Sequence, residues 1–164
     1  MNKGAGWKVR PRAVIEENVV RVRFLNDDGS LSELPLELDL KPVIEIEIDH
    51  STLGVPTISK ALALIDTGAD HRVIDSGFAE RLELIPAGST VTSGISGFAE
   101  VMHYRINFRI ATNGGVKSLE GAFVAPSLAA TGRKYQAILG MSFLQKGRLI
   151  MDAKTHDYFF EFSD

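Results

Sequence analysis

Asp66, Thr67 and Gly68 are the residues of this chain whose types and order could do chemistry. The apolar run Leu62-Ala63-Leu64-Ile65 leads into them, so a strand is expected to deliver a carboxylate into a turn. Gly68 lets another backbone approach that turn closely. A carboxylate at the end of an apolar strand is costly to desolvate unless it gains partners or shares a proton. A positioned carboxylate of that kind suits general acid–base work on a water molecule. The bare triplet is equally what a solvated turn selects, because Asp and Gly are favoured there. Other catalytic chemistry is poorly supplied. The chain has no cysteine, which removes disulfides, thiolate nucleophiles and thiolate-bound metal. His50, His71, His103 and His156 are scattered without the paired spacing of a metal site, so no metal and no cofactor are expected.

Two further segments narrow the choice. Ser93-Gly94-Ile95-Ser96-Gly97-Phe98 reads as a glycine-rich hairpin tip between strand-like stretches, able to move and to offer backbone N–H groups to a ligand. Ala137-Ile138-Leu139-Gly140 reads as an apolar strand ending in glycine, followed by Met141-Ser142-Phe143-Leu144. Each alone is commonplace. In this order, from Lys41-Pro42-Val43-Ile44 through Asp152, they resemble the retroviral-type (retropepsin) aspartic proteases over about two-thirds of the chain.

That resemblance implies an all-β, retropepsin-like, closed barrel-like domain with one or two short helices, completed by homodimerisation. It implies an aspartic endopeptidase with a peptide or protein substrate. Asp66 would be the catalytic carboxylate, with Thr67 making hydroxyl–backbone bonds across the dimer and Gly68 shaping the same turn. Gly68, Ala69 and Asp70 would meet the substrate. Gly94, Ile95, Ser96 and Gly97 would form a flap over it, the Ile95 N–H holding a bridging water. Ile138, Leu139 and Gly140 would be the second of two interlocked loops. Lys41 stands where the family usually has an Arg contacting the other subunit. Two departures are informative. Met141 replaces an Arg that often anchors the aspartate at the position of Asp70, so that anchor is expected from Lys41 or Arg72. Ser93 and Ser96 replace flap glycines. One Asp-Thr-Gly occurs per chain, so a pair of carboxylates needs a second copy.

The elements that must position these residues read mostly as strands, since alternation with a period of two dominates. Residues 19–40 are expected to form a hairpin around Asn26-Asp27-Asp28-Gly29, with Leu34, Leu36, Leu38 and Leu40 alternating and Pro35 confining the second arm to a sheet edge. Ile44, Ile46 and Ile48 share one face of the next strand. Gly54 and Pro56 interrupt before Ile58–Ile65. Met102, Tyr104, Ile106, Phe108 and Ile110 share a face of the longest strand, which turns at Asn113-Gly114-Gly115 and returns to Ala125-Pro126. Residues 127–136 read as an irregular loop. A short helix is expected over Ser142–Lys146, stopped by Gly147, and then a hairpin of Arg148–Asp152 with Tyr158–Phe162. This divides the chain into an extension, residues 1–40, and a protease-like domain, residues 41–164.

Composition excludes other classes. With 164 residues, 45% apolar and 24% charged, the chain is of a size and balance for one globular domain. The net charge of −3 is interspersed, with no basic face for nucleic acid or anionic membrane. No apolar run approaches the ~20 residues that span a bilayer. Met1 to Arg12 does not read as a signal peptide, which makes a cytoplasmic location the default expectation. A sugar-kinase or chaperone-type ATPase also runs an apolar strand into Asp-x-Gly, but needs a longer chain and further nucleotide loops. The remaining rival is a catalytically silent dimeric peptide- or protein-binding module on the same fold.

Overall fold

The computed structural model describes residues 17–35, 40–94 and 97–163. Its spine is a hairpin of β4 (Lys41–Thr52) and β5 (Val55–Ile65). Ile44, Ile46 and Ile48 turn into the core opposite Ala63, Ala61 and Ser59, while Glu45 and Glu47 turn away. Leu53 and Gly54 make the tight turn with φ of 50° and 77°, the handedness that two-residue hairpins require. β5 therefore begins before Pro56, which is tolerated because only β4 pairs with this part of the strand.

The chain continues through β6 (Arg72–Ile74), α1 (Ser76–Arg81), β7 (Gly88–Gly94), β8 (Gly97–Thr112) and β9 (Gly115–Ala125). Tyr104, Ile106, Phe108 and Ile110 are the buried face of β8. β10 (Ala137–Leu139), α2 (Met141–Leu144), β11 (Gly147–Asp152) and β12 (Asp157–Phe162) complete it. Strands β4, β5, β10, β6, β9 and β8 neighbour one another in that order, and β8 returns to β4 at Arg109–Glu47 and Phe108–Ile48. Six strands thus close into a ring around one apolar core, and the fold is all-β with two short helices. Phe143 of α2 packs on Phe160 and Phe162 of β12, with ring centroids 4.8 and 5.8 Å apart, fastening α2 to the C-terminal hairpin.

Three readings are corrected. Residues 19–40 are not one hairpin. β1 (Val19–Arg21) pairs with β12 in a separate three-stranded sheet, while β2 (Arg23–Leu25) pairs with both β4 and the two-residue edge strand β3 (Leu31–Ser32). The turn at Asn26–Gly29 is as expected, with Gly29 at φ 91°. The expected arm through Leu36 and Leu38 lies outside the described residues. Secondly, α2 spans Met141–Leu144, and Gly147 does not stop it. Gly147 opens β11 because a Cβ there would lie 2.1 Å from the Glu161 carbonyl oxygen. Thirdly, the loop over 127–136 contains a 3₁₀ turn at Ala129–Thr131.

Candidate active site

Asp66 follows β5 directly, and β10 fixes the turn it begins. β10 runs parallel to β5, with Leu139 opposite Ile65, and antiparallel to β6, with Ile138 opposite Val73. It is wedged between the two strands that flank residues 66–71. The Asp66 N–H donates to the Leu139 carbonyl (3.2 Å), the Met141 N–H to Ala69 (2.7 Å) and the Ser142 N–H to Asp70 (3.0 Å). Gly140 makes this docking sterically possible. A Cβ there would lie 2.2 Å from the Ala69 oxygen and 2.5 Å from the His71 oxygen, both backbone atoms. The structure therefore brings Asp66–Asp70 and Ile138–Gly140 together as two interlocked loops.

Within the turn, the half-buried Asp66 accepts the Gly68 N–H at Oδ1 (2.8 Å), and the Ala69 N–H donates to the Asp66 carbonyl (3.3 Å). Among the described residues its other carboxylate oxygen takes no hydrogen bond. Thr67, Gly68 and Asp70 are exposed, and Ala69 is half-buried. Among the described residues no ion pair or hydrogen bond joins Asp70 to Lys41 or Arg72, the anchors expected for it. Lys41 pairs with Asp27 (3.2 Å), and Arg72 donates to the Ser142 carbonyl (3.2 Å) while its guanidinium lies against Gly121. The reason is strand geometry. Arg72 belongs to β6 and points towards β9 and α2. Tyr135 feels the Asp66 carboxylate electrostatically. Burial pushes its phenol up, Arg133 pulls it down, Asp66 raises it again and Lys41 lowers it.

The sequence profile of the aspartyl proteases matches residues 53–143, more than half of the chain and all of both loops. This chain belongs to the aspartyl protease family. No curated protein matches it. Among solved structures it is similar to a retropepsin-like aspartic protease from Rickettsia conorii, at 18% identity over 88% of this chain and 98% of that one, with a TM-score of 0.45. EIAV protease complexed with the inhibitor HBY-793 is 20% identical over 70% and 97% of the two chains, TM-score 0.45. Simian foamy virus (mac) protease is 21% identical over 63% and 91%, TM-score 0.40.

Two residues that brace these loops escaped the sequence reading. Gln136 ties β5 to the segment entering β10. Its side-chain oxygen accepts the Leu62 N–H (2.9 Å), its own N–H donates to Leu62, and its carbonyl accepts the Asp75 N–H (2.8 Å). Asp75, only 2% exposed, is the N-cap of α1. Its carboxylate accepts the N–H groups of Phe78, Leu128 and Ala129 at 2.8–2.9 Å, joining α1 to the loop before β10. The signal was available as Asp75 preceding the apolar Phe78, Ala79 and Leu82. Burial alone raises its pKa, but the three backbone donors together outweigh it and hold the carboxyl below its ordinary value. Asp75→Ala should cost about 3 kcal/mol, combining a lost cap with buried N–H groups left unpaired. With the folded pKa depressed, Asp75's contribution is complete above pH ~4 and disappears as pH falls through the folded value. Urea denaturation from pH 7 to 2.5 should therefore show wild type and Asp75→Asn converging only below pH ~4. Parallel profiles through that range would show that the carboxylate is not ionised in this role.

Of the remaining candidate residues, Gly94 and Gly97 sit on the β7–β8 hairpin, where they pair with each other and Gly97 has φ +112°. Ile95 and Ser96 lie outside the described residues. Val91, Phe98 and Met102 share one face of this hairpin and are exposed. The hairpin reaches the Asp66 turn through β9 and β6, not by direct pairing. An open hollow lined by Asp49, Asn107, Phe108, Ser118, Leu119 and Glu120 lies elsewhere, since Asp49 pairs with Ile58, near the other end of β5. Among the described residues no group of three or more His, Asp or Glu could hold a metal ion. No described helix is long and apolar enough to cross a membrane.

Proposed function

We propose that the chain is an aspartic endopeptidase whose active site forms when two copies bring their Asp66 carboxylates together. The observation that carries this reading is the Asp66 turn itself. Its backbone is locked on two sides by β10 and Gly140, yet one carboxylate oxygen is left without a partner among the described residues. A rigid, half-open carboxylate supplied once per chain is half of a two-carboxylate site. A two-fold axis sets each residue opposite its own copy.

Two carboxylates in contact cannot both ionise cheaply, so the pair carries one proton. The ionised member takes a proton from a water, whose oxygen attacks the peptide carbonyl carbon. The protonated member hydrogen-bonds the carbonyl oxygen as charge develops there. The proton gained then passes to the leaving nitrogen as the C–N bond breaks. In this reading Thr67 bonds across the two turns, while Gly68, Ala69 and Asp70 contact the substrate. Residues Gly94 to Gly97 close over it as a flap. The protease domain is residues 41–164, with residues 1–40 as its extension.

Specific activity should rise with protein concentration in parallel with the dimer fraction measured by sedimentation. Constant activity per chain in a demonstrated monomer would contradict the two-copy site. The silent-binder reading rests on Met141 and on Asp70 lacking an ion pair among the described residues. It is favoured if a dimer binds a statine-type inhibitor but turns over no member of a peptide library.

A further inference from the structure

We propose that the β2–β3 hairpin is an intramolecular occupant of the peptide-binding surface beside Asp66, and that its distal part, residues 26–34, must lift for substrate to bind. This rests on the reading of Asp66 as the catalytic residue.

The apolar face that borders the Asp66 turn comprises Leu62 and Leu64 of β5, Val43 of β4, Ile138 of β10, Val73 of β6 and Ala69 of the turn. Leu64 lies two residues before Asp66 and Ala69 three after it. A peptide held against this carboxylate would lay apolar side chains on that face. It is already covered from the N-terminal segment. Leu25, 1% exposed, sits in the same cluster with Leu128 and Tyr135, and the half-buried Leu31 of β3 packs against it. Tyr135, in this cluster, is also the side chain that feels Asp66.

The hairpin is held down weakly at its far end. Phe24 belongs to the main core and the buried Leu25 pairs with Lys41 of β4, so β2 is anchored through Leu25. Beyond it, β3 pairs among the described residues only at Leu31 and Ser32, and stands at the edge of the described sheet. The tip touches two basic side chains. Lys41 pairs with Asp27, and a Cβ on Gly29 would lie 3.4 Å from the Lys134 side chain. Exposed ion pairs of this kind hold little. A covering element with one half-buried leucine and a few surface charges is displaceable by a peptide that offers larger apolar side chains.

The 164-residue chain has no cysteine, so Asp28→Cys/Lys134→Cys can be joined uniquely by a short thiol-specific cross-linker that reductant removes. Inhibitor binding, peptide cleavage and sedimentation are read before and after reduction, with Asp66→Asn as the control for the site. Tethering should weaken statine-type inhibitor binding and cleavage by about tenfold or more, reversibly and with the dimer unchanged. Leu31→Ser in the untethered chain should move both the other way. Equal binding and cleavage by tethered and reduced forms would overturn the occupant role while leaving Asp66 as the catalyst. Loss of the dimer on tethering would assign the hairpin to the subunit contact and overturn it too. If neither form, nor Leu31→Ser, binds inhibitor or cleaves, the reading of Asp66 falls and this inference with it.

Discussion

Asp66→Asn should lower peptide cleavage by about 10³-fold or more while fold and dimer persist. Asn keeps the volume of the side chain, and its oxygen still accepts the Gly68 N–H that shapes the turn. It cannot take a proton from water, which is the step assigned to the ionised carboxylate. Replacing the singly charged pair by two neutral amides should also leave association at least as favourable. The measurement is kcat/KM on one peptide together with sedimentation and thermal melting of the same preparations. A folded Asp66→Asn dimer that cleaves at the wild-type rate would move the chemistry away from this turn.

Gly140→Ala should be severely damaging for a single added methyl. The added carbon would lie within 2.2–2.5 Å of two backbone oxygens, from Ala69 and His71, which real Cβ contacts essentially never reach. Neither oxygen can rotate aside, because the Ala69 carbonyl accepts from Met141 and the turn is held between β5 and β6. Relief requires β10 to shift, and that breaks the docking on both sides. Overpacking of a well-filled interior costs about 1–3 kcal/mol, and a clash between backbones should exceed the upper end. Urea denaturation should show a loss above ~3 kcal/mol or no folded protein at all. A Gly140→Ala protein of wild-type stability would mean that the loops are not interlocked as described.

Much of this architecture was legible because a strand with one buried face writes its period into the sequence. Ile44, Ile46 and Ile48, and Tyr104 through Ile110, announced β4 and β8 with their orientation. The ring they close was not legible, because the return of β8 to β4 rests on two residue pairs with no local signature. β6 and α1 are too short to show a period. Around the candidate site, the turn at Asp66 and the strand ending in Gly140 stood out, while the bonds that brace them did not. Gln136 and Asp75 act through backbone groups far away in sequence, Leu62 and Leu128, and such partners are invisible to spacing. The expected Lys41 or Arg72 anchor for Asp70 failed for the same reason. Charge in a sequence does not say which carboxylate the chain will bring near. Gly147 was misread because a glycine after a helical pattern suits a C-cap as well as a tight strand crossing.

The most direct test of two Asp66 carboxylates acting as one site is a mixing experiment. Wild type and Asp66→Asn are allowed to exchange subunits at fixed total concentration, and cleavage is followed as the mutant fraction rises. With both carboxylates required, an equal mixture leaves about a quarter of the dimers active, so activity per wild-type chain should fall to about half. Activity per wild-type chain that does not change, with exchange demonstrated by mass, would show that one Asp66 suffices and contradict the account.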